Sequence, residues 1–285
     1  MSLWPSGYWY PFRESATVIG AEGHATTAVL ENFRTGTKFT DAVDLYVFDK
    51  KLRLLFIDAL ERIEVGLRVE IALLLGTRNP IAHRLPSELH GNFAKKVDPS
   101  TNQTKHDKWL ARLDELTNKS REEFVQEYRK KYSTPLPIWM AIELWDFGSL
   151  SHFVNGMTNS DKAFIAAKYN MPSPEHLVSW VRNLNQLRNV CAHHSRLWNR
   201  VITDIPVRSK PNEVYELDHL YSDRHAETRV YASAAITQHF MKIINPKSDW
   251  AGRLKLHVIN LPNVPAISIR HAGFPNGWDH LPLWS

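Results

Sequence analysis

Between Asp41 and Leu75 apolar residues return every three to four positions: Leu45, Phe48, Leu52, Leu55, Ile57, Leu60, Ile63, Val65, Leu67, Val69, Ile71 and Leu74. That spacing keeps one side of a 3.6-residue helix apolar, and Gly76 supplies a stop, so a long helix is predicted over 41–76. Glu61, Glu64 and Arg68 share a face of it at i, i+3 and i+7. With Glu70 and Arg62 they read as helix-stabilising ion pairs or as a row that positions a partner helix. A second strongly apolar segment, "IWMAIELWDFGSLSHFVNGM", follows the breakers Pro135 and Pro137, with Gly148 as a predicted kink or break. A third helix starts at Ser173, a predicted N-cap with Pro174 at the first helical position. Its apolar stripe is Leu177, Trp180, Val181, Leu184, Leu187, Cys191 and Trp198, so the helix is expected to run on to about Ile202.

The remaining segments are more polar. The aromatic start (Trp4, Tyr8, Trp9, Tyr10, Phe12) leads into a Gly/Thr-rich, loop-like stretch to Thr40. Residues 77–105 read as a long surface connection, 106–132 as a polar helix, and 161–169 as a short helix. Residues 203–223 read as a loop, followed by helices over 224–244 and 248–260. The Pro/Gly/Trp-rich tail is expected to lie on the surface. No segment alternates convincingly as a strand does, and no repeat is present. The predicted fold class is all-α: a helix bundle with additional helices and long connecting loops, forming one domain over 1–285 with 41–76 and 135–202 as core helices and 224–285 as C-terminal helices and tail.

The polar edge of the third helix carries the candidate chemistry, in "LRNVCAHHSRLWNR" (Leu187 to Arg200). On one straight helix Asn185, Asn189 and His193 line up, with Arg188 on the neighbouring side and His194 near the row of Leu187 and Cys191. Arg188 and His193 then converge only if the helix distorts or two copies pair. Metal-free RNA cleavage needs a base for the ribose 2′-hydroxyl and an acid for the departing 5′-oxygen. It also needs a donor fork for the phosphoryl oxygens; histidine and arginine supply all three. The plainer reading is a solvated helix face. The segment has no metal-ligand spacing, so neither metal nor cofactor is expected. Cys191, on the apolar stripe, reads as an inert buried thiol.

Composition narrows this only slightly. The 285 residues, 43% hydrophobic and 11% aromatic, suffice for a sizeable core. A net charge of +5 leans weakly towards a polyanionic partner. The single cysteine excludes an intramolecular disulfide and a cysteine-based zinc site, which fits a reducing cytosol. The start lacks a signal-peptide pattern, and the apolar runs fall short of the ~20 residues that span a bilayer. The expectation is a cytoplasmic protein with no membrane partner.

The motif "LRNVCAHHSRLWNR" resembles the signature of the Abi family, the abortive-infection proteins of the AbiD/AbiF type, placed among HEPN domains with their Arg-x(4–6)-His hallmark. "SGYWYPFR", "YVFDKKLRLLFIDALERIEVGLRVEIALLLG", "PLPIWMAIELWDFGSLS" and the ending "GFPNGWDHLPLW" are similar to that family too. Family members carry a further segment before the "YWYPFR"-like motif, on which this chain almost starts, so N-terminal packing is expected to differ. The resemblance implies a HEPN-type bundle and a metal-independent endoribonuclease acting in phage defence or as a toxin. It implies RNA as substrate, a homodimer that brings two motifs together, and a non-coding RNA or an antitoxin as a further partner. Arg188 and His193 would be catalytic and Asn189 supporting, with His194 taking or sharing the histidine role. Arg196, Arg200 and Asn185 are the expected RNA contacts. The competing expectation is a non-catalytic module that binds RNA or an antitoxin in the same cleft.

Overall fold

The computed structural model describes residues 6–19 and 24–285; the aromatic Trp4 lies outside them. In chain order the elements are β1 (Arg13–Ile19), β2 (Ala25–Phe33), α1 (Phe39–Gly76), α2 (Gly91–Ala94), β3 (Val97–Asp98), β4 (Gln103–Thr104), α3 (Lys105–Lys119), α4 (Glu123–Lys131), α5 (Ile138–Ala141), α6 (Phe147–Gly156), α7 (Asn159–Lys168), α8 (Pro174–Ala192), α9 (His219–Ser222), α10 (Arg224–Glu227), α11 (Val230–Ile244) and α12 (Trp250–Ile259). The fold is mostly α, as the periodicity predicts.

Helix α1 is the spine, and α8, α11 and α12 pack against it. Its buried side is Leu45, Phe48, Leu52, Phe56, Leu60, Ile63, Leu67, Ile71 and Leu75. The predicted stripe was too wide, because Val65 and Val69 are half exposed. Helices α6 and α7 flank α8. The Ser173 hydroxyl accepts from the His176 amide as the N-cap, with Pro174 in the first turn, as read from the sequence. Helix α12 is fixed to α1 by Trp250 Nε1, which donates to Leu55 O at 2.7 Å, and by His257 stacked on Phe48 at 4.2 Å.

Several expectations need correction. The segment before α1 is not a loop: β1 and β2 form an antiparallel hairpin, pairing Ser15 with Val29 and Ile19 with Ala25. It escaped the alternation test because both of its faces are largely exposed, so no apolar face alternates with a polar one. The polar helix over 106–132 is two, α3 and α4, separated at Ser120–Glu122. The break in "IWMAIELWDFGSLSHFVNGM" falls at Trp145–Asp146 rather than at Gly148. There the Asp146 carboxylate caps α6 by accepting from the Ser149 amide at 2.6 Å. The 224–244 helix breaks after α10, at Thr228–Arg229. The 77–105 connection sends Ala82, His83, Leu89 and Phe93 into the interior, and the tail does the same with Phe274, Leu283 and Trp284. Trp284 Nε1 donates to the Tyr231 hydroxyl at 3.1 Å, so the tail closes the core rather than lying on it. One continuous set of buried apolar side chains runs from Tyr8 to Trp284.

Candidate functional site

Helix α8 does not continue to Ile202; it stops at Ala192, inside the double-histidine motif. The stop is a Schellman closure. The Ser195 amide donates to Val190 O at 3.0 Å and the His194 amide to Cys191 O at 3.2 Å. His194 occupies the left-handed position with φ +54°, where glycine is the usual residue. A side chain there costs roughly 1–3 kcal/mol, which the surroundings must supply.

They do so through a carboxylate buried on α1. Asp49 accepts from the Leu197 amide at 3.0 Å and from the Trp198 amide at 2.7 Å, and so pins the chain just after the turn. The Tyr8 hydroxyl donates to the same carboxylate at 2.5 Å. Arg53, one turn along α1, is hydrogen-bonded to Asp49, to the Tyr8 hydroxyl at 2.9 Å and to Ser195 O at 3.3 Å. Burial pushes the Asp49 carboxyl upward, against the pull of Tyr8, the Leu197 amide and Arg53. Burial likewise raises the Tyr8 hydroxyl well above its usual range, with the Asp49 charge adding to it. Residues of "SGYWYPFR", "YVFDKKLR" and "HHSRLW" thus meet in one buried network that sets where the histidines stand. Trp198 is fully buried as the apolar stripe implies, but it reaches the core from this turn and not from a helix.

The turn brings the second histidine, His194, to a recess that Arg188 also lines. Arg188, Cys191, Ala192 and His194 line one recess of about 470 Å³, closed on the α1 side by Lys50, Arg53, Leu54, Ile57, Leu60, Glu61 and Glu64. Both histidines are exposed, and His193, the C-cap of α8, is not among the lining residues. Burial raises the Glu64 carboxyl, while Arg68 and Arg188 pull it down. Glu64 also accepts from Arg68 Nη2 at 2.5 Å, the helix-stabilising pair expected on that face. The Cys191 thiol is pushed up to about 12 by burial and next by the Asp49 charge, so it is inert as expected.

Arg188 also lines a second, larger cleft of about 690 Å³ on the other side of α8. Here Asn185 and Asn189 face Lys105, Lys108 and Arg112 of α3 and His152 and Asn155 of α6. The Asn185 Oδ1 is buried and has no hydrogen-bond partner. Asp146 sits at the rim with Arg112 on its carboxylate. Burial works to raise the Asp146 carboxyl, but the Ser149 amide and hydroxyl and Arg112 outweigh it and hold it below the usual range. The cleft therefore presents four cationic side chains and one carboxylate, with amide groups between them.

Two of the expected RNA contacts are placed differently. Arg196 is half-buried with Nη1 on Gly7 O, so it ties the N-terminal segment to the turn rather than facing the cleft. Arg200 is exposed beyond the turn, its Nη1 3.4 Å from Arg196 O. The cationic side of α3 was missed, although Lys105, Lys108 and Arg112 stand at i, i+3 and i+7 and that spacing alone puts them on one face. Asp49 and Arg53 were missed as well; charged residues four apart inside an apolar stripe were the available signal. Among the described residues no group of three or more His, Cys, Asp or Glu side chains is arranged to hold a metal ion, and no helix is long and apolar enough to cross a membrane.

A family model described as Abi-like protein matches residues 3–199, more than half of the chain. The chain belongs to the Abi-like family. No curated protein and no solved structure matches it. The Abi-like span holds the whole Tyr8–Asp49–Arg53 network, both recesses and the double-histidine turn. The residues after it supply α11 and α12, which pack on α1, and the tail, which packs on α11 in the same core.

Proposed function

We propose that this Abi-like protein is a metal-independent endoribonuclease of the HEPN type, close to the AbiD/AbiF proteins, which acts in abortive infection or as a toxin. One observation carries the reading: Arg188 lines both the recess that holds His194 and the basic cleft that holds Asn185, Asn189 and the α3 cations. An RNA strand laid along the cleft on Lys105, Lys108 and Arg112 would bring one phosphate to Arg188, within range of the histidine turn. A histidine takes the ribose 2′-hydroxyl proton as that oxygen attacks phosphorus. The P–O5′ bond breaks, a protonated histidine returns a proton to the 5′-oxygen, and a 2′,3′-cyclic phosphate remains. Arg188 neutralises the phosphoryl oxygens, and Asn189 orients the phosphate. His194, which lines the recess with Arg188, takes one of the two roles and His193 the other; both rings are exposed.

A second copy fits this scheme. Val47, Leu54, Val65, Val69 and Leu73 leave an exposed apolar stripe along α1, and Leu54 also lines the recess beside Arg188. Pairing along that stripe would place two Arg188–His194 sets near one another, each chain folding as one domain and the dimer meeting RNA in the cytoplasm.

The test is RNA cleavage in EDTA with end-group analysis. Wild type should leave 2′,3′-cyclic phosphate ends, and Arg188→Ala and His194→Ala should each lose about 10²-fold or more in rate. Leu54→Glu should shift the protein from dimer to monomer by sedimentation and reduce cleavage in step. Undiminished cleavage by Arg188→Ala and His194→Ala would sink the reading. Tight, salt-dependent RNA binding without turnover would point instead to a module that holds a non-coding RNA, and an antitoxin partner would replace RNA on the same cleft.

A further inference from the structure

Beyond the double-histidine turn the fold gathers a second group of cations, none of which lines the α8 cleft or its recess. Arg34 follows β2, Arg229 is the N-cap of α11, His225 lies in α10 and His271 in the tail. Contacts bring these segments together. Arg229 Nη1 donates to Asn199 O at 2.9 Å, and the His271 ring stands edge to Trp198 with centres 5.4 Å apart, so both flank residues 198–199. His225 Nε2 lies 2.7 Å from the carbonyl oxygen of Arg270, the neighbour of His271. The Arg34 amide donates to Phe12 O at 2.9 Å and its Nε to Arg13 O at 3.0 Å, on the N-terminal segment that Arg196 ties to the turn. Burial holds the His271 imidazole below its usual range; the charges of Arg229, His225 and Arg34 press it the same way, and no carboxylate opposes them. Arg34 and Arg229 form no ion pair among the described residues, and the carboxylates beside α10 are taken, Asp223 by Arg270 at 3.3 Å and Glu227 by Arg208 at 3.0 Å. Each of the two arginines commits one nitrogen to a carbonyl, which fixes the guanidinium and leaves the rest of its fork open. Each also has an exposed ring beside it: Phe33, 46% exposed, precedes Arg34 in the chain, and His271 stands by Arg229. Open forks interleaved with exposed rings are the surface a single nucleic-acid strand uses, forks for phosphates and rings for bases. An acidic protein segment brings carboxylates but no flat bases for the rings.

We propose that Arg34 and Arg229 form a second binding site for single-stranded RNA, taking backbone phosphates with bases against Phe33 and His271. The site stands apart from the α8 cleft and does not depend on that cleft being catalytic. The turn joins the two, since Asn199, which accepts from Arg229, lies shortly after His194 in the chain.

Fluorescence anisotropy on the full chain in EDTA tests it, with a mixed-sequence 2′-O-methyl RNA strand. That strand has no free 2′-hydroxyl, so it stays intact whether or not the α8 site cuts. Wild type should bind it with an affinity that falls as salt rises. Arg34→Ala, a change at an exposed side chain, and Arg229→Gln should each weaken binding about threefold or more at low salt. Each should also lower the slope of log affinity against log salt by about 0.7, the value of one phosphate contact on a single strand. The loss should be alike for strands of different base sequence, and it should persist in an Arg188→Ala background. Arg121→Ala, at an exposed arginine between α3 and α4, should stay within about twofold of wild type. The proposal fails if wild type does not bind the strand, or if either Arg34→Ala or Arg229→Gln keeps the wild-type affinity and slope. It also fails if the loss vanishes in the Arg188→Ala background, which would return the effect to the α8 cleft. Binding to phosphatidylglycerol vesicles, and not to RNA, that depends on Arg34 would overturn it in favour of a membrane surface. Cleavage of unmodified RNA in EDTA reports on the α8 site separately, so failure of one reading is told apart from failure of the other.

Discussion

His194 stands where a helix ordinarily ends on glycine, and that single backbone angle is what turns its ring towards the recess of Arg188. Replacing it with glycine removes both the ring and the left-handed strain. His194→Gly is therefore expected to raise unfolding free energy by about 0.5–1 kcal/mol while abolishing RNA cleavage. Urea unfolding and the cleavage assay check the two halves, and a destabilised variant would contradict the strain argument. The strain is borne by Asp49. Asp49→Ala would leave Arg53 buried without its partner and free the Leu197 and Trp198 amides, at a cost of about 3–5 kcal/mol. Asp49→Asn, which keeps one acceptor oxygen for those amides, should cost less by the same measurement. The residue types of the site were legible in the sequence, because Arg, Asn and two histidines along one helix edge suggest proton and phosphate chemistry. That His194 shares a recess with Arg188 was not legible. On a continued helix His194 falls in the row of Leu187 and Cys191. Only the turn, set by a carboxylate more than a hundred residues earlier, gives it a different neighbour.

At the level of elements, the long helices were legible because each buries a single face for many turns, so the 3.6-residue period survives in the sequence. Helix α1 and the capped start of α8 are the clearest cases. Where short elements meet, the period is interrupted by caps that look like ordinary polar residues. Asp146 is the example, since it splits an apolar run that otherwise reads as one helix. The β1–β2 hairpin was illegible for the opposite reason. With Val18, Ile19 and Leu30 all exposed it answers to no core, and only its β-branched content marked it as a strand pair. That independence has a measurable consequence. Arg13 and Phe33 are paired across the base of the hairpin, so Asn-Gly can replace residues 14–32 and still close a two-residue turn. The shortened chain should keep Arg34 Nε on Arg13 O and Trp9 against Phe33. Its thermal midpoint is expected to stay within about 4 °C of wild type, equivalent to roughly 1 kcal/mol. A drop of about 10 °C or more would mean that the hairpin supports the core.

Across the whole molecule, the interior is unusually rich in imidazole, and this sets the response of the fold to acid. His83, His106 and His239 are almost fully buried. The rings of His106 and His239 lie at 2.9 Å from His83 O and 2.7 Å from Tyr169 O, within reach to donate a ring N–H. Burial lowers all three from their usual range, to about 3 for His83. The unfolded chain titrates these rings near pH 6.5. Below that pH it takes up protons that the folded chain refuses. The stabilisation is therefore complete above about pH 6.5 and is lost as pH falls towards the folded-state values. Each histidine contributes a slope of up to about 1.4 kcal/mol per pH unit. Urea unfolding between pH 7.5 and 5 should show stability falling as pH falls, with His219, His257 and His271, also lowered by burial, adding to the slope. His83→Phe should reduce that slope by up to about one proton, because the other rings titrate as before. A stability that stays flat to pH 5, or a slope unchanged by His83→Phe, would mean that these rings take up protons without unfolding, and that the interior around them opens to water more readily than its burial implies.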